Sequence, residues 1–294
     1  MTRFDYVRAV SLEQAIRLIN DQAYKNKLLS GGTDLLVYMH HGQSGFDRVV
    51  DISLLPELKL IERDGDVITL GAGVSFSEVI ECQLLRDTVP FLVAACRSVG
   101  SPQIRNLGTL GGNVVNAAAC ADCLPVLVCL EANALLCSSR GERVIPVTEF
   151  VLGPNRTQIE PDEILVRFTF KAPPVGVKTA FIKLGRRNAM AISRLTMAAM
   201  GRLDARECVD FIRLTPGAAT PQTIRFTQVE EMLLGKPLTV ELINTAAQQV
   251  ADVMVGYTGR RWSTEYKSRV IATLAERVLV QVFHRPQVSR TAEL

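Results

Sequence analysis

Two glycine pairs, each escorted by residues that carry hydrogen-bond donors, constrain this chain more than any other feature. The first lies in Leu28-Leu29-Ser30-Gly31-Gly32-Thr33-Asp34-Leu35, where an apolar stretch runs into a Gly-Gly turn. The second lies in Thr109-Leu110-Gly111-Gly112-Asn113, followed by Asn116 and Asp122. Glycine lacks Cβ and tolerates positive φ, so such backbone can be approached closely and can turn its N–H groups toward an anion. Thr33 and Thr109 add hydroxyls, and Asn113 and Asn116 add amides. One Gly-Gly pair alone reads as a tight turn. Two of them, well separated and similarly escorted, suit a diphosphate gripped from both sides. Neither is a G-x-G-x-x-G fingerprint, and Gly71-Ala72-Gly73 has no third glycine at the required place. There is no G-x-x-x-x-G-K-[ST] loop and no G-x-S-x-G elbow. His40-His41 beside the first loop reads as a solvated turn.

The patterning around these loops is mixed. Ser11-x-x-Gln14 forms a capping box that opens a first helix, with Leu12, Ala15, Ile16 and Ile19 on one face. Strands are predicted at Lys27–Ser30, Arg48–Ile52 and Val67–Leu70. Ser75-x-x-Glu78 caps a second helix running to about Leu85. Pro90–Ser98 is a third, and Val99–Asn106 is an irregular connector. Glu163–Phe170 alternates as a half-buried strand, with Ile164, Val166, Phe168 and Phe170 sharing one face. Ala172-Pro173-Pro174-Val175-Gly176 breaks the pattern and marks a domain boundary. Strands then follow at Lys178–Leu184, Leu195–Leu203 and Asp210–Leu214. Helices take over at Thr227–Leu234, Thr239–Val255 and Thr264–Phe283, with Gly235 and Pro237 as a helix stop. The polar end, 286–294, reads as a loose tail. Such an order of elements argues α+β.

Composition narrows the classes. Lys plus Arg is 33 and Asp plus Glu is 30, a net +3 that gives no field for nucleic acid or an acidic membrane. The longest apolar run, Phe91–Cys96, falls far short of the ~20 residues of a spanning helix. The start of the chain carries no signal-peptide pattern, which leaves a cytoplasmic globular protein as the expectation. Seven cysteines and three histidines are few for a metal framework. Cys120-x-x-Cys123 has ligand-like spacing, so a zinc or iron–sulfur reading stands beside free thiols. No second C-x-x-C follows, and Cys129 and Cys137 sit in apolar stretches, which favours thiols.

The run Ser101-Pro102-Gln103-Ile104-Arg105-Asn106-Leu107-Gly108-Thr109-Leu110-Gly111-Gly112-Asn113, with Leu28–Leu35 before it and Asp122 after it, resembles the FAD-binding subunit of the molybdenum hydroxylases. That family includes xanthine dehydrogenase, nicotinate dehydrogenase and aerobic carbon monoxide dehydrogenase. The similarity runs from about Arg3 to about Phe283. It implies a two-part FAD-binding domain of the vanillyl-alcohol-oxidase (PCMH) type over residues 1–175, with subdomains of about 1–55 and 56–175. An α+β C-terminal domain over 176–285 would follow.

The resemblance also implies a set of cofactor contacts. The Leu28–Leu35 and Thr109–Asn113 loops would wrap the FAD diphosphate and flavin side. Asp122 would hold a ribose or ribityl hydroxyl, and Val99, Gly100 and Ser101 would lie beside the cofactor. Leu165 matches a position near the adenine end, where core packing is an equal reading. Lys183 matches a lysine near the flavin. After Arg186-Arg187, several family members carry an acidic residue where this chain has Ala189-Met190-Ala191-Ile192-Ser193, so handling of an external acceptor does not carry over. No cysteine-bearing insertion like that of the hydroxybenzoyl-CoA reductases follows Asp122.

By resemblance, substrate is hydroxylated on a large molybdopterin-binding subunit, and electrons pass through [2Fe–2S] clusters of a small subunit to FAD here, then to NAD or another acceptor. No catalytic side chain is expected in this chain, because the cofactor carries the redox chemistry. Two rivals are a stand-alone flavin oxidoreductase of the same fold and an assembly module without cofactor.

Overall fold

The computed structural model describes residues 4–42, 45–187 and 189–283. The tail reading at 286–294 lies outside the described residues. A first unit consists of β1 (Asp5–Arg8), α1 (Leu12–Ile19), β2 (Asn26–Leu29), α2 (Leu35–His40) and β3 (Arg48–Asp51), its strands forming a parallel sheet in the order β1-β3-β2. Ser11 caps α1 by accepting from the Gln14 N–H, and Gln14 Oε1 accepts from the Val10 N–H in return, so the predicted start holds. The helix α2 departs from the sequence reading. His40 is its last residue rather than part of a turn, and the chain between Asp34 and His41 is short enough to be mistaken for a loop.

A short 3-10 turn at Pro56–Leu58 leads into the second unit. Its elements are β4 (Ile61–Asp64), β5 (Val67–Gly71), α3 (Phe76–Glu81), α4 (Gln83–Thr88), α5 (Pro90–Ser98), α6 (Pro102–Leu107), α7 (Leu110–Asn116), α8 (Leu124–Cys129), β6 (Asn133–Ser138), β7 (Gly141–Pro146), α9 (Val147–Phe150), β8 (Val151–Gly153), β9 (Arg156–Thr157) and β10 (Ile164–Lys171). Five strands form an antiparallel sheet in the order β4-β5-β10-β6-β7, and β8 pairs with β9.

The capping box at Ser75 and Glu78 is present, but the helix it opens ends at Glu81. Cys82 turns extended, and Arg86 Nε donates to the Ile80 carbonyl that the break frees. Residues 102–107, read as irregular, are the helix α6: Ser101 caps it and Pro102 occupies its first turn.

The strand β10 is also more deeply buried than its alternation suggests. A bulge between Leu165 and Arg167 shifts the register on β6. Ile164 and Val166 therefore pack into the core beneath the first unit, with Val50, Ile52 and Leu55. Phe168 and Phe170 enter the main core of the second unit instead of sharing a face with them.

The third unit is the antiparallel sheet β11 (Lys178–Gly185), β12 (Ser193–Leu203) and β13 (Val209–Gly217), backed by α10 (Thr227–Leu233), α11 (Val240–Thr258) and α12 (Thr264–Phe283). The strand β12 is buried on both faces. Leu195, Met197 and Ala199 face the helices, while Ala198 and Met200 join the core of the second unit. The third unit is thus pressed against the second through one whole sheet face.

Candidate functional site

The two glycine loops meet. Ser30 Oγ lies 3.3 Å from Thr109 Oγ1. Gly31 is seated against the end of α6 so closely that a Cβ there would fall 1.9 Å from the Leu107 carbonyl oxygen. A side chain of any kind would wedge the first and second units apart, so this glycine is a requirement of the seam.

The loops supply different chemistry. In the first, Gly32 has φ +72, and among the described residues the N–H groups of Gly31, Gly32 and Thr33 have no protein acceptor. A left-handed residue flanked by free N–H groups is the nest geometry that accepts anions. In the second, the glycine pair is the first turn of a helix rather than a turn, capped by Thr109. Its N–H groups are spent on protein: Leu110 donates to Val74 O at 2.9 Å, Gly111 to Ala72 O at 2.8 Å, Asn113 to Thr109 O at 3.0 Å and Gly112 to Thr109 Oγ1 at 3.1 Å.

From their residues alone both loops have one role, the presentation of backbone N–H groups. The geometry divides that role. Gly111 is small because a Cβ would meet Ala72 at 2.6 Å, whereas a Cβ on the exposed Gly112 would meet Thr109 Oγ1 alone. What the second loop offers outward is an open Cα, the Thr109 hydroxyl and the Asn113 amide, whose buried Oδ1 has no protein partner. The open glycine beside the nest leaves room for an anion such as a polyphosphate, whereas the unpartnered Asn113 Oδ1, an acceptor, calls for a donor such as a ligand hydroxyl.

A second cluster joins the second and third units. The Asp122 carboxylate is buried, and Oδ2 accepts from Lys183 Nζ at 2.6 Å while Oδ1 accepts from Ser193 Oγ. Lys183 Nζ also donates to the Ser98 carbonyl at 2.9 Å, next to Val99. Burial pushes the Asp122 carboxyl up from its usual range, and the bonds from Lys183 and Ser193 pull against that. Asp34 at the start of α2 is likewise pushed up by desolvation.

Around this cluster, Arg105 Nη1 holds the carbonyls of Val99 and Gly100 at 2.9 and 3.1 Å, and Ser101 is the cap of α6. Leu28 and Leu29 end β2, and Leu28 packs beneath the first unit. Leu35 opens α2, and Asn116 ends α7. Leu165 lies in the core of the second unit, paired with Leu136. Ser193 and Ser98 are the partners that residue reading missed, since nothing local marks a serine 71 positions from its carboxylate.

The cysteines do not converge as Cys120-x-x-Cys123 suggests. Cys123 faces Cys96, with 3.6 Å between the sulfurs, and its thiol is pushed well up by that contact and by burial. Burial lifts Cys129 to about 12 and Cys137 to about 11, so both remain thiols at neutral pH. His40 and His41 stack edge to face at the end of α2.

Taken with the fold, a nest and an open glycine on two loops that meet at a seam between units suit the class of nucleotide-cofactor-binding proteins. Comparison with known proteins completes the identification. Residues 2–170 match the family model of the FAD-binding domain in molybdopterin dehydrogenase, and 180–282 match the CO dehydrogenase flavoprotein C-terminal domain.

The chain is 35% identical over 277 residues to the xanthine dehydrogenase FAD-binding subunit of Escherichia coli O157:H7, covering 93% of this chain and 94% of that protein. It is 30% identical over 288 residues to the nicotinate dehydrogenase FAD-subunit of Eubacterium barkeri, covering 96% and 97%. A solved structure of carbon monoxide dehydrogenase from Hydrogenophaga pseudoflava superposes with TM-score 0.89 at 26% identity, covering 97% of this chain and 99% of that one. The chain therefore belongs to the FAD-binding flavoprotein subunits of the molybdenum hydroxylases, an oxidoreductase family of the xanthine dehydrogenase type with FAD as cofactor.

Proposed function

We propose that this chain is the electron-transfer flavoprotein of a hetero-oligomeric, cytoplasmic molybdenum hydroxylase. In this reading a small [2Fe–2S] subunit delivers electrons that originate at a large molybdopterin-binding subunit. They leave for NAD or another acceptor. The observation that carries it is the seam of Ser30–Thr33 against Thr109–Asn113, which supplies free N–H groups on one side and an open glycine with an unpartnered amide on the other. The functional division follows the units: 1–175 for the cofactor, itself split near 55, and 176–285 packed against it.

When bound, FAD supplies one- and two-electron redox chemistry. The chain's residues do the rest. The N–H groups of Gly31, Gly32 and Thr33 hold the diphosphate, and the Thr109 hydroxyl and the Asn113 and Asn116 amides orient it. Asp34 and Asp122 serve as acceptors for cofactor hydroxyls. Lys183 places a cation beside the site. Val99, Gly100 and Ser101 wall it, and Leu165 supports it from the core.

Among the described residues no His/Cys/Asp/Glu grouping suits a metal, and no helix is long and apolar enough to cross a membrane. The test is native purification and the visible spectrum. The expected result is a yellow protein that releases FAD on acid extraction and co-purifies with a large and a small companion. Turnover of a purine or nicotinate-like substrate by this chain alone would overturn the subunit reading and favour a stand-alone flavin oxidoreductase. A colourless chain that FAD does not restore would favour an assembly module.

A further inference from the structure

Ser193 sits at the first position of β12, and simple alternation places it on the wrong side of the sheet. Leu195, Met197 and Ala199 point to the helices, and residue 193 shares their parity. A bulge intervenes. Lys183 pairs with Thr196 and Leu184 with Leu195, but Gly185 pairs with Ser193, so Arg194 is the extra residue. Such an insertion moves the following side chain to the opposite face. Arg194 lies over the Tyr266 ring of α12 on the helix side, and Ser193 emerges on the side of Lys183. There its Oγ donates to Asp122 Oδ1.

We propose that Ser193 is a positioning residue of the cofactor site: by donating to Asp122 it keeps that carboxylate ionised and aimed, so that Asp122 in turn fixes Lys183 beside the bound FAD. The inference rests on the reading of the two-loop seam and the Asp122–Lys183 cluster as parts of one FAD site. Asp122 is 6% exposed, and a carboxylate so buried stays charged only while its oxygens are bonded. Lys183 satisfies one oxygen and Ser193 the other. Lys183 spends two of its three N–H donors on Asp122 and the Ser98 carbonyl, which leaves one for a ligand. Losing the serine hydroxyl would favour protonation of Asp122, and a neutral Asp122 would release Lys183.

The other titratable groups around the cluster are Cys120 and Cys123 on its own loop, Cys96 on α5 behind Cys123, and Asp34 at the start of α2. Burial holds the Cys120 thiol up, and the Cys96 contact and burial hold the Cys123 thiol well up, so neither ionises in acid. Asp34 titrates there, but Ser193 does not touch it, so its contribution is common to wild type and variants.

The experiment titrates FAD into the full-length apoprotein of wild type, Ser193→Cys, Ser193→Ala and Ser193→Thr across pH 4.5 to 8, with circular dichroism confirming the fold. The cysteine variant keeps the shape while weakening the donor, so it reports even if the alanine variant does not fold. Expected are an affinity about tenfold lower for Ser193→Cys and Ser193→Ala near neutrality, on the scale of a lost hydrogen bond to a charge. Their acid release of FAD should begin at higher pH than in wild type, with Thr restoring both readouts. In an Asp122→Asn background, Ser193→Cys should no longer move the pH profile. Folded Ser193→Cys with wild-type affinity and profile would overturn the proposal, as would an equal shift in the Asp122→Asn background. A wild type that binds no FAD at all would instead overturn the functional reading beneath it.

Discussion

Gly111 and Gly112 are adjacent in sequence and should fail in opposite ways when each is replaced by alanine. At Gly111 the added Cβ would lie 2.6 Å from both Cβ and the carbonyl oxygen of Ala72, where ordinary contact begins near 3.4 Å. Relief requires α7 to retreat by most of an ångström, which stretches the Gly111–Ala72 and Leu110–Val74 hydrogen bonds of 2.8 and 2.9 Å. Two such bonds at about 1 kcal/mol each, with about 1–3 kcal/mol for overpacking, outweigh the ~1 kcal/mol that alanine gains in a helix. Gly111→Ala should therefore destabilise the apoprotein by about 2–4 kcal/mol, lowering Tm by about 3–7 °C for a chain of this size.

At Gly112 the added Cβ meets the Thr109 hydroxyl oxygen at 2.9 Å and nothing else. Helix propensity and the crowded cap nearly cancel there, so apoprotein stability should stay within about 1 kcal/mol of wild type. The methyl occupies the space proposed for the diphosphate and should cost about 2–3 kcal/mol of binding, or roughly 30- to 150-fold in Kd. Differential scanning fluorimetry of apoproteins and quenching of FAD fluorescence read the two effects separately. Folded Gly112→Ala with wild-type FAD affinity would show that the second loop does not face the cofactor.

Other substitutions test the remaining parts. Gly31→Ala places a Cβ 1.9 Å from a backbone oxygen, so the units should part, the Ser30–Thr109 contact should break, and FAD titration should show loss of binding. Gly256→Ala, in α11 with open space around it, should raise stability by about 0.5–1 kcal/mol and leave FAD content unchanged. Glu163 accepts Arg143 at 2.6 and 2.9 Å and the Glu160 N–H at 2.8 Å, and the Arg143 bonds hold its carboxyl below the usual range. A depressed folded-state pKa gives stability that is present above the unfolded value of about 4.3 and lost as pH falls through the folded one. Urea midpoints of Glu163→Gln should thus lie below wild type at pH 7, and the gap should narrow as pH falls below the unfolded value. A gap independent of pH would contradict this.

What was legible in the sequence followed the physics of local signals. Ser11 and Ser75 cap the helices their spacing announces, and Pro90–Ser98 is the helix it reads as. The glycine pairs marked the two loops because small residues and donors are concentrated there. What each glycine is for was hidden: Gly31 faces Leu107, Gly111 faces Ala72, and Gly112 faces outward. Those neighbours are set by tertiary packing. Two bulges had the same effect. One divides the apolar residues of β10 between two cores, and the other turns Ser193 toward Asp122. Periodicity reads parity along a strand, and a bulge changes parity without leaving a composition mark.

The distribution of the proposed site over three packed units has a thermodynamic consequence. Ser30–Thr33 stand on the first unit, Thr109–Asn113 and Asp122 on the second, and Lys183 and Ser193 on the third. No single unit retains the arrangement when the others unfold, so a ligand of this site binds only the native chain. Its stabilisation follows RT ln(1 + [L]/Kd), which is about 2.7 kcal/mol at a hundredfold excess over Kd. FAD at that concentration should raise the wild-type Tm by about 4–5 °C. At the same FAD concentration Gly112→Ala, with Kd raised 30- to 150-fold, should gain less than about 1 kcal/mol. Scanning fluorimetry of both proteins over a range of FAD concentrations gives the two curves. Equal Tm gains in wild type and Gly112→Ala would place the binding energy outside the glycine seam, and the cradle derived from the two loops would be wrong.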